Sequence, residues 1–347
     1  MTLLRVEERG LWCEAGGFHV DPWLPVPLAL LTHAHSDHAR PGSNAWLSTP
    51  LTAAVLRARF GGEGAFETAA YGVRRRIGEV DVSFHPAGHV LGSAQIRIEH
   101  KGEVWVVSGD YKLDPDPTCA AFESVRCHTF VTESTYGLPI YRWPEQGRVF
   151  EDVRNWWRGN RERGKCSVLF TYPLGKSQRL LAGLRGEDSP LFCHGAIEML
   201  NRVYRANGVD LPATQWPGDQ SKGFDWSQAL VLAPPSARGS AWMKRFGVVS
   251  TAFASGWMRI RGTRRHKSID RGFVLSDHAD WSGLQSAISG SGAERVLVTH
   301  GYRTPMVRWL HEKGLDAEAL ETPFEGERDE AQADDEVNDG VAPERAE

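Results

Sequence analysis

Between residues 33 and 38 the sequence places His33, His35, Asp37 and His38 directly behind the apolar run 28–32. Three imidazoles and a carboxylate in six positions form a donor set suited to zinc or a similar borderline divalent ion. The apolar run reads as a buried strand, on which residues two apart share a face, so His33 and His35 are expected to hold one ion side by side. His38 has the opposite parity to the other three. The chain must therefore turn there, and the turn can aim Asp37 and His38 at a second, neighbouring ion. The plain alternative is a polar loop with incidental histidines, and the density of metal-competent side chains speaks against it.

Similar chemistry recurs at the ends of other apolar runs. Asp21 closes the stretch 17–22, His89 sits between Gly88 and Gly92, and Asp110 follows Gly109 at the end of a hydrophobic run. His278 and His300 each follow an apolar segment late in the chain. Glycines beside such residues allow the tight backbone turns that aim a side chain. Taken singly, His89 and Asp110 read as ordinary loop residues; their weight comes from the set.

The elements that must position these groups fall into two textures. Up to about residue 141, short apolar runs at 28–32, 80–85, 95–99, 104–108 and 130–133 read as strands. Residues 50–60 read as a helix capped by Thr49, with Leu51, Val55, Leu56 and Arg59 at helical spacing. From about residue 144 the pattern changes. Arg154, Trp156, Trp157, Arg158, Arg161 and Arg163 mark an amphipathic helix. Strand-like runs at 166–172, 191–193, 229–233 and 248–252 then alternate with helical stretches such as 197–206, which predicts a second, largely parallel α/β unit. Runs at 272–276 and 295–299, with a helix at 281–289 between them, read as a β-α-β crossover.

Gly175-Lys176-Ser177 has the form of the end of a Walker loop, but that loop needs glycine five residues earlier and position 170 is Phe. An ATP site is excluded on this ground, while a helix start bearing Lys176 could still hold a phosphate. Downstream, Arg259, Arg261, Arg264, Arg265 and Lys267 put five cations into nine positions beside Trp257. Such a segment suits a nucleic-acid backbone with a base stacked on the indole; a solvated basic loop is the alternative.

At 347 residues, 41% hydrophobic and 24% charged, the composition is that of a water-soluble globular protein of one large or two ordinary domains. Five cysteines without a Cys-x-x-Cys pair point to reduced thiols in the cytoplasm. The first ten residues carry Arg5, Glu7, Glu8 and Arg9 and no apolar segment, so no leader is expected, and no run is long enough to span a membrane. The net charge of −4 conceals an asymmetry. Residues 325–347 hold ten acidic side chains against Arg328 and Arg345, a net of −8 that leaves about +4 on the body. That tail has no apolar period and is expected to be disordered.

The ordered set His33-x-His35-x-Asp37-His38, His89, Asp110 and His300, with Asp21 upstream, resembles the metallo-β-lactamase superfamily. Glu133-Ser-Thr-Tyr-Gly137, Ser276-Asp-His278-Ala-Asp280 and Thr299-His300-Gly301 resemble motifs A, B and C of its β-CASP nucleases. The stretches 174–178 and 254–257 also resemble parts of the β-CASP module. The likeness runs from about residue 10 to 304 and fills all seven ligand positions. On size and texture it is nearest the bacterial DNA-ligase-associated exonucleases.

The resemblance implies an α/β fold, an αββα sandwich with an inserted α/β cap. It divides the chain into a first sandwich part at 1–143, the β-CASP domain at 144–264, a second sandwich part at 265–324 and the acidic tail at 325–347. It assigns His33, His35 and His89 to one divalent ion and Asp37, His38 and His300 to another, with Asp110 bridging; zinc is favoured, manganese the other candidate. A hydroxide between the ions would attack phosphorus, with Asp37 essential to the two-ion site. His278 would protonate the leaving oxygen, Glu133 would orient His278, and Asp21 would support a ligand histidine.

The implied activity is a metal-dependent nuclease, a DNA exonuclease of repair, with a DNA ligase or other repair proteins as partners and no membrane. An RNA-processing nuclease is the alternative. His300 stands where the crosslink-repair branch typically has valine, which favours RNA, whereas the compact size and the lack of an RNA-binding appendage favour DNA. Two further readings are a small-molecule hydrolase, which has no use for Glu133, His278 and a basic cap, and an inactive partner protein, which would have lost ligands.

Overall fold

The computed structural model describes residues 2–62, 64–260 and 269–322. Six short strands open the chain and lie side by side in sequence order: β1 (Arg5–Glu7), β2 (Gly10–Cys13), β3 (Phe18–Val20), β4 (Leu28–Leu30), β5 (Ala45–Ser48) and β6 (Ala65–Thr68). The first three run antiparallel and the rest parallel. Helix α1 (Pro50–Arg59) covers this sheet. The Thr49 hydroxyl accepts from the Thr52 amide, Pro50 sits at the first turn, and Arg57 and Arg59 oppose the dipole at the last.

A second sheet begins as an antiparallel meander of β7 (Arg75–Ile77), β8 (Val80–Pro86), β9 (Ala94–His100) and β10 (Glu103–Val107), to which β11 (Thr129–Glu133) adds in parallel. The chain then leaves this sheet. After α2 (Gln146–Glu162) it forms β12 (Cys166–Phe170), α3 (Lys176–Gly183), β13 (Leu191–Cys193), α4 (Gly195–Ala206), β14 (Leu230–Ala233), β15 (Val249–Ala254) and β16 (Arg271–Phe273). These strands make a third sheet, parallel throughout, in the order β13-β14-β12-β15-β16. Their fully buried apolar strands, covered on both faces, are what such a sheet requires. Helix α5 (Trp281–Ser291) then leads to β17 (Arg295–Thr299), α6 (Arg303–Glu312) and β18 (Asp316–Ala319). Strand β17 pairs in parallel with β11, placing Glu133 beside Thr299.

The cores show how these pieces stack. Phe18, Val20, Leu30 and Leu47 of the first sheet pack on Val82, Ile96, Ile98 and Trp105 of the second. The far face of the second sheet, through Val106, Phe130 and Val296, packs on Trp281, Leu284, Ile288 and Leu310 of α5 and α6. The order is helix, sheet, sheet, helix, with the third-sheet unit joined to the α1 side through Val90, Leu91, Leu174 and Leu181.

Several expectations change. The strand before the histidines ends at Leu30, so His33 and His35 lie in a loop and strand parity does not align them. Strand β16 belongs to the third sheet and β17 to the second, so α5 links two sheets and the expected β-α-β crossover is absent. The third sheet also extends to Phe273, past the expected boundary at 264. Among the described residues no helix is long and apolar enough to cross a membrane. All five cysteines are free. The acidic tail, 325–347, lies outside the described residues.

Candidate metal centre

Backbone turns at the ends of β3, β4, β8, β10 and β17 bring the expected residues together. Asp21 has a positive φ of 42°, and its carboxylate accepts from the Thr32 amide at 2.8 Å and the Thr32 hydroxyl at 2.5 Å, pinning the start of the histidine loop. The amides of His38 and Ala39 both donate to the His35 carbonyl, at 3.3 and 2.8 Å. This single helical turn swings Asp37 and His38 round to face the same side as His33. In the loop after β8, the Ser93 hydroxyl accepts from the amides of His89 and Val90, each at 3.1 Å. Gly109 adopts φ +56°, and a Cβ there would lie 2.5 Å from Thr32 Cβ, so only glycine lets the Asp110 turn close onto the histidine loop. His300 follows β17 with φ +51° and is held by the Ser134 hydroxyl, which donates to its carbonyl. Asp21 and His300 are two of the three non-glycine positive-φ residues described, the kind of strain that collects at functional sites.

Three ring nitrogens converge: His35 Nδ1 lies 3.1 Å from His33 Nε2 and 3.0 Å from His89 Nε2. Each ring has an acceptor behind it. His33 Nδ1 donates to the Thr32 hydroxyl oxygen at 3.0 Å, His35 Nε2 to the Leu174 carbonyl at 3.4 Å and His89 Nδ1 to the Asp277 carbonyl at 2.9 Å. With the protons facing outward, three lone pairs face one another, an arrangement that a cation resolves. Burial holds His33 well below its ordinary range and pushes His89 down to about 3, so both rings are neutral and able to ligate.

A second grouping adjoins the first. His38 Nδ1 donates to Asp21 at 2.7 Å, which turns Nε2 inward to 3.6 Å from Asp37 Oδ2 and 3.4 Å from Asp110 Oδ2. Asp110 also lies 3.6 Å from His33 Nε2 and 3.9 Å from both His89 Nε2 and His300 Nδ1. It is therefore common to two sets, His33, His35, His89 and Asp110 on one side and His38, Asp110 and His300 on the other, with Asp37 beside His38. His38 Nε2 and Asp110 Oδ1 are buried without a hydrogen-bond partner among the described residues, as ligand atoms without their ion would be. Burial alone would raise the Asp110 pKa, yet His38 and His278 outweigh it and hold the carboxylate well below its usual range.

His278 stands against this centre, its ring 4.7 Å from that of His89. Its Nδ1 donates to Glu133 Oε2 at 3.0 Å, and Glu133 Oε1 accepts from the Tyr111 amide at 2.9 Å. His278 Nε2 is buried and has no hydrogen-bond partner among the described residues. Burial would lower the His278 pKa, but Glu133 and Asp110 reverse the effect and lift it to about 10.

No family model matches the sequence. A protein from Opitutus terrae named probable DNA ligase is 32% identical over 317 residues, covering 90% of this chain and 30% of its own. The endoribonuclease ysh-1 of Neurospora crassa is 29% identical over 120 residues, 33% of this chain and 14% of its own. The chain thus spans less than a third of either relative. A crystal structure of a protein of unknown function from Enterococcus faecalis superposes with a TM-score of 0.55 at 12% identity, covering 86% of this chain and 80% of that one, a likeness of fold. These relatives are consistent with the β-CASP family of the metallo-β-lactamase superfamily.

The β-CASP residues read from sequence do not all land where expected. The seven expected ligands, with His278 and Glu133, gather in one buried region, and Asp21 lies partly buried behind His38. Two expected nucleic-acid contacts, Lys176 and Trp257, are buried inside the protein. Lys176 has no exposed surface and pairs with Asp277 Oδ1 at 2.6 Å. Trp257 is buried among Tyr136 and Tyr141, at ring distances of 4.9 and 5.7 Å, so no base can stack on it there. Arg259 is exposed and donates to the Ile140 carbonyl at 3.2 Å. Arg261, Arg264, Arg265 and Lys267 lie outside the described residues. The sequence alone assigned no role to Leu174, Thr32 or Asp277, which act through a carbonyl, a hydroxyl and a buried ion pair; Leu174 and Asp277 lie within stretches that carry the family resemblance, whereas Thr32 offered no such signal.

Proposed function

We propose that this β-CASP protein is a two-metal phosphodiesterase acting on nucleic acid, with DNA exonuclease activity in repair as the specific reading. The four layers are read as the αββα sandwich and the unit from residue 144 through β16 as its cap. The observation that carries the proposal is the Glu133–His278 pair beside a seven-residue ligand set. A metal site alone serves many hydrolases, whereas a buried, oriented imidazolium adds a proton donor for an alkoxide leaving group.

The donor set fits two zinc ions, with manganese as the other candidate. Bound there, they would supply an activated water and neutralise charge on the scissile phosphate. The protein's own part is to hold His33 and His89 neutral, to turn the ring nitrogens of His33, His35 and His89 inward, to share Asp110 between both groups, and to keep a proton on His278 Nε2 for the leaving oxygen. Asp21 holds His38 by its outer nitrogen. Asp21→Ala is expected to weaken the ion at His38 by about 10–100-fold, measured by chelator competition, because outer-shell partners of ligand histidines act on that scale. Unchanged affinity would remove Asp21 from the site.

The relative named probable DNA ligase, matching 90% of this chain, favours DNA and a place beside strand joining. The relative named endoribonuclease supports RNA as the second reading. The deciding experiment incubates end-labelled single- and double-stranded DNA and RNA, with and without 5′-phosphate, with the protein and a chelator control. A metal-dependent ladder from a DNA end is expected. Cleavage of RNA alone would replace the DNA reading, and no cleavage of either polymer would end the nuclease proposal.

A further inference from the structure

The cap reaches into the metal centre through three consecutive residues, Leu174 to Lys176, where the turn after β12 enters α3. Leu174 offers the carbonyl to which His35 Nε2 donates, at 3.4 Å. Gly175 has φ +83°, and a Cβ there would lie 2.4 Å from Val90 Cγ1 and 2.8 Å from Asp277 Oδ2, so the turn is seated on the His89 loop and on Asp277 at once. Lys176 Nζ meets Asp277 Oδ1 at 2.6 Å, both side chains wholly buried, and Asp277 supplies the carbonyl that fixes His89. Gln178 makes the turn rigid. Its Oε1 accepts from the Gly175 amide at 2.8 Å, and its Nε2 donates to the Pro173 carbonyl at 3.0 Å and to Asn201 at 2.9 Å. From α4, the Tyr204 hydroxyl accepts from the Leu91 amide at 3.1 Å, two residues past His89.

Two of the three rings at the first ion position therefore take their orientation from the cap or from a residue the cap holds. A buried carboxylate that loses its partner must take a proton, move, or capture another cation. For Asp277 the last course is open, because it forms a metal-competent group with His89 and His278. Movement of the side chain or capture of a cation displaces the carbonyl that holds His89.

We propose that Lys176 is a positioning residue for the metal centre. By holding Asp277, the 174–176 turn keeps His35 and His89 in the tautomers that face an ion, and cap docking and metal affinity become one coupled equilibrium. This rests on the two-ion reading above. Its cap is then more than a lid for substrate: an undocked cap lowers occupancy at His33, His35 and His89.

The test is a double-substitution cycle in the full chain, using Lys176→Met, Asp277→Asn and both together, each close in size to the native residue. Stepwise Zn²⁺ affinities are read by competition with a chromophoric chelator, and the protonated ring nitrogens of His35 and His89 by nitrogen NMR of the metal-free proteins. Lys176→Met is expected to weaken the ion at His33, His35 and His89 by about 10–100-fold, to leave the other step unchanged, and to alter the His89 tautomer signal. The double variant, which leaves no buried charge unpaired, is expected to recover most of that loss. The inference is overturned if Lys176→Met binds both ions as the native chain does, if both steps weaken equally, or if the double variant is no better than the single, including by failing to fold. A native chain that binds no Zn²⁺ would instead overturn the metal-centre reading itself.

Discussion

Asp110→Asn is expected to abolish phosphodiester cleavage and to leave the protein with at most one ion. Asp110 is the side chain within 3.4–3.9 Å of ring nitrogens from His33, His38, His89 and His300, so it belongs to both halves of the centre. Asparagine keeps its shape and removes its charge. Two cations a few ångströms apart repel, and a shared anion is what lets both sit there. A loss of about 10³-fold or more is expected, at or beyond what a single electrostatic contact to a transition state contributes. Metal analysis of the purified variant, paired with a gel assay of cleavage, checks it. A variant holding two ions and cleaving at near-native rate would refute a bridging role.

His278→Ala is expected to lower turnover by about 10²–10⁴-fold, the range for a positioned acid, with both ions retained. Loss of an ion in this variant would make His278 a ligand and not an acid. Glu133→Gln separates the two roles further. As an acid, His278 must be protonated, so activity falls as pH rises through its pKa. In the metal-free protein burial works against the proton, but Glu133 and Asp110 together lift the pKa to about 10. Once ions bind, much of the Asp110 charge is spent on them and Glu133 carries the lift. Removing that carboxylate lowers the His278 pKa, so the alkaline decline in rate must begin at lower pH than in the native protein. A pH–rate profile with an unmoved alkaline limb would separate Glu133 from the proton donor.

What was legible in the sequence follows from distance along the chain. His33 to His38 are readable because ligands within six positions need no fold to be brought together. His89, Asp110, Glu133 and His300 were readable as an ordered set, each at the end of an apolar run. The α/β character and the parallel third sheet were also expected, because buried parallel strands are nearly all apolar and interrupted by helices. Strands β1, β2, β3, β5 and β6, at three or four residues each, are too short for a period to show. Lys176 and Trp257 were misplaced for a common reason: a cation or an indole beside a glycine turn looks the same whether it faces water or a partner brought from elsewhere. Asp277 and Tyr136 are those partners, at sequence separations no local pattern can report. His33 and His35 meet through the loop after β4 and not by strand parity, since β4 ends at Leu30.

The pairing of β11 with β17 bears on how the protein comes into being. Thr129 to Glu133 take their parallel neighbour from Arg295 to Thr299, across the whole third-sheet unit. Closing so long a loop is slow, since its entropy is lost before any contact is gained. It also has a fixed order during synthesis, when the chain emerges from its N-terminus at about 5–20 residues per second. His33 to Asp110 emerge early, but His300 has no place until β17 has been made and has found β11. A nascent chain therefore lacks the His38, Asp110 and His300 group until β17 has paired with β11.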